Sequence, residues 1–197
     1  MTKKKRIASV FRKTGETSVK IDLAIDGSGR AEIDCPLGFW THMLTLFSFF
    51  GHFNISLKAN GDIHVDDHHL VEDIGICLGD AFKLALGERK GIRRFGFAAV
   101  PMDEALVHVV VDISGRPFLG FSIPVIKNKV GFTDIENLQE FARGFSNHAC
   151  INLHLKLFSG ENTHHICEAV FKGLGLALRE AVRIESKRLI STKGKID

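Results

Sequence analysis

Residues 65–73 read VDDHHLVED, and residues 162–169 read NTHHICEA. Each stretch sets two adjacent histidines ahead of a glutamate three residues on. The copies lie 96 residues apart, His68 to His164 and Glu72 to Glu168. Working outward from either copy, the same order of elements recurs. In the first half, 17–25 alternates apolar and polar residues and reads as a half-buried strand. Asp26-Gly27-Ser28-Gly29 reads as a tight turn, and 30–35 as the returning strand of a hairpin. Residues 39–50 read as a buried helix, 53–58 as a strand, and 68–86 as a helix capped by Asp66 or Asp67. In the second half, 105–113 and 118–123 are strands about the turn Ser114-Gly115-Arg116-Pro117, 136–148 is helical by period, 150–157 alternates, and 164–184 is the last helix.

An internal repeat of this kind predicts an α+β fold of two duplicated halves, 1–92 and 93–197. Each half is expected to be a four-stranded sheet with two helices on one face. That face must be covered, and the other half is the obvious cover, so the helices should pack between the two sheets as one pseudo-symmetric unit.

On a helix, residues four apart share a face, whereas adjacent residues point about 100° apart. His68 and His69 therefore face two different ions, as do His164 and His165. Imidazole and carboxylate together suit manganese, iron or zinc. A catalytic ion needs several protein ligands and an open position. Further ligands are expected on the preceding helices. His42 lies 26 residues before His68, and Glu140 lies 24 before His164. His52, His64, His108, His148 and His154 stand alone and read as structural.

Arg94, Arg116, Lys172 and Lys193 are candidate anion holders, since arginine and lysine both suit phosphate. Lys172 is four residues after Glu168 and shares its face. The run Ser191-Thr192-Lys193-Gly194 is rich in donors. No Walker-type loop is present, which argues against a nucleoside triphosphate.

The composition excludes several classes. The chain of 197 residues carries a net charge of only +3, too little to mark a nucleic-acid binder, and Lys3-Lys4-Lys5 reads as a solvated end. No apolar run is long enough to span a membrane and no secretory signal opens the chain, so a cytoplasmic protein is expected. Cys35, Cys77, Cys150 and Cys167 form no C-x-x-C pair and read as buried thiols.

RKTGET at 12–17, DDHHLVEDIGICLG at 66–79, PMDEAL at 101–106, SGRPF at 114–118, GENTHHICEAVFK at 160–172 and STKG at 191–194 resemble the imidazoleglycerol-phosphate dehydratases, in order and spacing, over nearly the whole chain. The resemblance implies a duplicated ribosomal-protein-S5 domain 2-like fold and dehydration of imidazole-glycerol phosphate to imidazole-acetol phosphate in histidine biosynthesis. It implies two manganese ions per site and a large symmetric homo-oligomer with sites between subunits. Carried over, one ion falls to His42, His68, Glu72 and His164, the other to Glu140, His165, Glu168 and His69. Glu16, Arg94, Arg116, Lys172, Ser191, Thr192 and Lys193 fall at substrate- and phosphate-binding positions. The chain departs from the family pattern at Thr41, Phe50 and Leu70, where aspartate, histidine and threonine or serine are usual.

The chemistry explains a doubled motif. The C–H that must be broken is not acidified by a carbonyl, so the ring must supply the electrons. A metal-bound imidazolate can do so, and the ring has two nitrogens for two cations. Glu16 is the candidate acid–base group, with Glu104 its internal equivalent, and Glu72 and Glu168 join it in the catalytic set. The rival expectations are a catalytically impaired metal-binding homologue, a dinuclear hydrolase of phosphate esters, and an RNA-binding module.

Overall fold

A computed structural model describes residues 5–124, 129–186, 188–192 and 194. The first half builds β1 (Ile7–Lys13), β2 (Thr17–Ala24), β3 (Ala31–Asp34), α1 (Gly38–Gly51), β4 (Asn54–Gly61) and α2 (His68–Leu86). The second builds β5 (Phe95–Met102), β6 (Ala105–Asp112), β7 (Phe118–Ser122), a small ribbon of β8 (Lys129–Val130) and β9 (Thr133–Asp134), α3 (Asn137–Ala149), β10 (Asn152–Ser159) and α4 (Thr163–Ala181). The sheets have matching orders, β1-β2-β4-β3 and β5-β6-β10-β7.

The sheet order corrects the hairpin reading of 17–35. β3 does not return beside β2. It pairs parallel with β4, with Ile33 opposite Leu57, and β2 pairs antiparallel with β1 and β4. The stretch 31–61 is thus a strand, helix and parallel strand, which a turn of four residues after β2 does not announce. β7 repeats the arrangement beside β10. The alternation of the edge strands β1 and β5 is blurred because large apolar residues, Ile7, Phe11, Phe95 and Phe97, stand on their exposed faces.

The helices lie between the sheets. α2 packs on β1 and β2, α4 on β5 and β6, and the halves meet as α1 on α4 and α2 on α3. The centres of the inward strand faces are apolar: Val19, Ile21 and Leu23 below, Val107, Val109 and Val111 above. Six of the sixteen phenylalanines, Phe47, Phe53, Phe82, Phe141, Phe145 and Phe171, fill the centre beside Trp40. The helix crossings are close because glycines lie at them. A Cβ on Gly79 would stand 2.6 Å from the Phe145 carbonyl oxygen, and one on Gly175 2.7 Å from that of Phe47. These two crossings are copies of each other, which gives the repeat its geometric register. α1 and α3 also end alike, on left-handed His52 and Cys150, whose backbone N–H groups donate to Phe49 and Asn147. The helix ends put His42 and Glu140 at equivalent places.

Two smaller expectations shift. The last helix runs Thr163–Ala181, ending before 184. Asp66, not Asp67, serves the start of α2: its Oδ1 accepts the His68 backbone N–H at 2.9 Å, while Asp67 Oδ1 accepts from Asn137 Nδ2 at 2.8 Å. The junction between the halves is stitched to the segment after α4, with the Arg93 N–H donating to Arg183 O at 2.8 Å and that of Gly91 to Arg188 O at 3.1 Å. All four cysteines are free thiols, and burial pushes Cys77 and Cys167 up to about 12. No helix among the described residues is long and apolar enough to cross a membrane.

Candidate metal centre

α4 begins at an asparagine cap: Asn162 Oδ1 accepts the backbone N–H of His164 at 3.0 Å and of His165 at 3.4 Å. The cap fixes the rotation of the first turn, and the helical period then sends His164 and Glu168 along one face. α1 lies against that face and brings His42. Glu168 Oε1 sits 3.2 Å from His42 Nε2 and 3.1 Å from His164 Nε2. The two imidazoles stack, with centroids 5.8 Å apart. One ligand atom from each of the three residues lies within 4.8 Å of the others. Two neutral imidazoles and a carboxylate are a borderline-to-hard donor set that fits a divalent manganese, iron or zinc ion.

The other oxygen of Glu168 meets Lys172 Nζ at 2.5 Å. Burial alone would raise this carboxyl, but Lys172, His42 and His164 overcome it and hold it at about 2. Lys172 is confined, with Met102 Sδ at 3.2 Å and the Phe50 ring 5.9 Å away.

His165 faces away from this trio, as its neighbour's position on the helix requires. Its Nδ1 meets Glu104 Oε2 at 2.8 Å, and Glu104 Oε1 accepts the Asn162 backbone N–H at 2.9 Å. The His165 contact and that N–H hold Glu104 at about 2, and Glu104 in turn raises His165. In the first half His69 is treated alike by a different residue. Its Nδ1 lies 3.1 Å from Asp62 Oδ2 and 3.7 Å from Glu16 Oε2, and Asp62 first, then Glu16, raises its pKa. Glu16, Asp62 and His69 form a second group of converging ligand atoms. A histidine whose Nδ1–H is held by a carboxylate offers Nε2 to a metal with its ring already oriented. Asp62 carried no signal in the motif, because the chain approaches His69 from the preceding strand end, seven residues earlier.

Within one chain Glu168 lies with His42 and His164, since residues four apart on α4 share a face while adjacent ones diverge; the grouping implied by the resemblance places its sites between subunits. The repeat maps this trio onto Glu140, His68 and Glu72. Those three do not converge in the same way. Glu140 is held by Arg143 in an ion pair, and Glu72 has no ion-pair partner among the described residues. A buried network beside the motif also went unread: Asp73 accepts from Arg12 Nε at 2.7 Å and from the Thr17 hydroxyl, tying α2 to the strands that carry Glu16. Thr14 Oγ1 accepts the Glu16 backbone N–H at 3.1 Å in the same loop.

Apart from Lys172, the basic candidates among the described residues, Arg94 and Arg116, lie at the other end of the second sheet. Arg94 precedes β5 and spends its guanidinium on Asp112, at 2.7 Å and 3.1 Å, and on the Ile190 carbonyl at 2.7 Å. That last bond brings Ser191 and Thr192 beside it. Arg116 is in the turn after β6, its carbonyl accepting from Asn152 Nδ2 at 2.6 Å. Lys193 lies outside the described residues. Glu104 and His165 sit past the far end of β5, a strand of eight residues, so roughly 25 Å separates the two clusters at the usual rise per residue. The three departures are accommodated: Leu70 is fully buried, Phe50 lies against Lys172, and Thr41 is a surface turn of α1 whose carbonyl accepts from Thr45 Oγ1 at 2.7 Å. Of the histidines read as structural, His148 pairs with Asp80 at 3.1 Å and His108 stacks on Phe158.

Comparison with known proteins shows the family of the chain. The imidazoleglycerol-phosphate dehydratase family pattern matches residues 35–178. The chain is 50% identical over 193 residues to an imidazoleglycerol-phosphate dehydratase of Desulforudis audaxviator, covering 98% of each. It is 48% identical to that of Caldicellulosiruptor saccharolyticus, covering 96% of this chain and 97% of the relative. Among solved structures, the imidazoleglycerol-phosphate dehydratase of Staphylococcus aureus superposes with a TM-score of 0.82 at 39% identity, over 90% of this chain and 99% of that one. The Pyrococcus furiosus enzyme, solved in complex with (S)-C348, gives 0.83 at 41% identity, over 94% and 99%. The chain therefore belongs to the imidazoleglycerol-phosphate dehydratase family and is a hydro-lyase.

Proposed function

We propose that the protein dehydrates imidazole-glycerol phosphate to imidazole-acetol phosphate in histidine biosynthesis, with two divalent cations per site, manganese foremost, in a cytoplasmic homo-oligomer. The observation that carries this is the convergence of His42, His164 and Glu168, a donor set matched to such ions and placed on two helices that a duplicated fold aligns.

His42, His68, Glu72 and His164 would hold one ion, and Glu140, His165, Glu168 and His69 the other, with ligands drawn from neighbouring copies. His69 and His165 would be oriented for this by Asp62 and Glu104. Ions bound there would supply the positive charge that lets the substrate ring lose its N–H and, as imidazolate, expel the adjacent hydroxyl. The chain's own groups do the rest. Glu16, exposed beside His69, would first give a proton to the departing hydroxyl, so that water leaves, and then take one from the next carbon to form the enol. The enol becomes the ketone as it loses its O–H proton and gains one at carbon, and the ring regains from solvent the N–H proton it gave up. Thr14 and the Asp73 network hold the Glu16 loop in place. Arg94, Arg116, Ser191, Thr192 and Lys193 would fix the phosphate ester, and Lys172, held beside Glu168, would be a further substrate contact near the ions, which together set the reacting carbons against Glu16.

A separation of roughly 25 Å between the metal-type cluster and the basic end is too long for one small phosphate ester. One copy must therefore supply the ion ligands and another the phosphate cradle. The outer face of the second sheet supports association, since Phe95, Phe97, Val110, Phe118 and Phe158 are all exposed on it, an apolar patch of the kind a second copy covers.

The test is a turnover assay with imidazole-glycerol phosphate before and after chelation. The expected result is formation of the keto product, lost on stripping and restored by Mn²⁺. Release of inorganic phosphate without dehydration would support the hydrolase instead, and ion binding without turnover the impaired homologue.

A further inference from the structure

The turn between β1 and β2 carries Glu16, and its hydrogen bonds admit one consistent set of directions. Asp73, 6% exposed, is paired with Arg12 and as a carboxylate only accepts. Its Oδ1 takes Arg12 Nε at 2.7 Å, and its Oδ2 takes the Thr17 hydroxyl. Thr17 has then used its proton, so across the 3.2 Å contact between the two hydroxyls it is Thr14 that donates. Thr14 Oγ1 keeps two lone pairs, and they take the backbone N–H groups of Glu16 at 3.1 Å and Thr17 at 2.9 Å. A buried carboxylate on α2 is thus connected, bond by bond, to the backbone of Glu16. Asp73 lies four residues after His69, so the anchor of the turn shares a helix face with the histidine whose Nδ1 is 3.7 Å from Glu16 Oε2.

The second half shows that the fold does not require this network. Its equivalent turn, closed by Met102 opposite Ala105, carries Glu104. There Val100, Met102 and Ala105 stand in place of Arg12, Thr14 and Thr17, and Ala169 stands in place of Asp73. An apolar turn suffices, and a buried charge is a costly way to hold one. Glu104 is fixed through its carboxylate, which accepts the Asn162 N–H and meets His165. Glu16 is fixed through its backbone, and its side chain stays 58% exposed.

We propose that Arg12, Asp73, Thr17 and Thr14 form a positioning device for the reaction: they set Glu16 against the His69 end of α2 while leaving its carboxylate free to exchange protons. This rests on the reading of Glu16 as the acid–base group. Asp73 and Thr17 act through Glu16. Misplacing a reacting group by about 1 Å costs about 100-fold in rate, so the device acts on the chemical step and leaves binding alone.

The experiment is turnover of the Mn²⁺-loaded, assembled enzyme with imidazole-glycerol phosphate, read as separate kcat and KM beside metal analysis. Thr17→Val is expected to lower kcat by about 10- to 100-fold, with KM within about 2-fold and metal content unchanged. Thr17→Ser, which keeps the hydroxyl, should retain most of the wild-type kcat. Asp73→Asn should act like Thr17→Val, because an amide N–H facing Thr17 reverses the chain of bonds and crowds a third donor onto Thr14. Thr14→Val repeats the test if Thr17→Val does not assemble. In a Glu16→Gln background Thr17→Val should cost nothing further, since the group it places is gone. Wild-type kcat in Thr17→Val, an equal loss in both backgrounds, or a loss that appears as raised KM or missing metal would overturn the inference and leave the role of Glu16 standing. Unimpaired turnover in Glu16→Gln alone would overturn the reading on which it rests.

Discussion

The two copies of the histidine motif occupy the same place on the same kind of helix, yet their partners differ. At α4, His164 and Glu168 meet His42 and Lys172 in a closed cluster. At α2, His68 and Glu72 belong to no such cluster among the described residues, and Glu140 pairs with Arg143. The outward histidines follow the same rule: His165 is held by Glu104 and His69 by Asp62. Duplication has kept the backbone and the ligand types while the orienting carboxylates and nearby cations have diverged. Geometry is what the repeat preserves, and electrostatics is where the halves become different.

The largest effect should come from breaking either ligand set. His42→Ala and Glu140→Ala are each expected to lower turnover by at least about 100-fold and to cost one of the two ions by metal analysis. If only one of the pair does so, the two sets are not functional counterparts. Arg116→Ala sharpens the contrast between the ends of the sheet. It should raise KM for the phosphate ester by about 10- to 100-fold, as expected for a lost charge-assisted contact, with metal content unchanged.

Asp62→Asn and Glu104→Gln compare the orienting carboxylates. Each should weaken Mn²⁺ binding by about 10- to 100-fold. They should also change the protons released. His69 and His165 have pKa values raised by these carboxylates, so metal uptake displaces protons over the range in which they titrate, and affinity should fall as pH drops. The variants bring the histidines back toward their ordinary value and should release fewer protons, measurable by calorimetry in buffers of different ionisation enthalpy. In the metal-free protein the sign reverses. A raised folded-state pKa stabilises at low pH, and that contribution is lost as pH rises through the raised values.

The smallest effect tests the shared geometry. Gly79→Ala and Gly175→Ala place a methyl against equivalent carbonyls at 2.6 Å and 2.7 Å, and each should destabilise by about 1–3 kcal/mol in denaturant titrations at equal protein concentration. Equal costs would support the equivalence of the two helix crossings, and a marked difference would break it.

Much of this was legible from spacing. The 96-residue offset exposed the duplication, and the helical period placed His164, Glu168 and Lys172 on one face before any coordinate was known. Strand pairing was less legible. Residues 30–35 follow a good turn, and nothing local distinguishes a returning hairpin strand from one that crosses to the far side of β4. β1 and β5 escaped because exposed phenylalanines blur their alternation. Asp62 and Asp73 escaped because their roles depend on contacts across 7 and 61 residues, which no periodicity encodes.

The central claim is that the twin clusters hold two divalent ions per site and that turnover depends on them. Metal analysis of the assembled protein, run beside the dehydratase assay on the same samples, tests it most directly. The account predicts two ions per chain, with activity lost as they are stripped and regained as Mn²⁺ is returned. Full turnover in protein holding less than one ion per chain would contradict it.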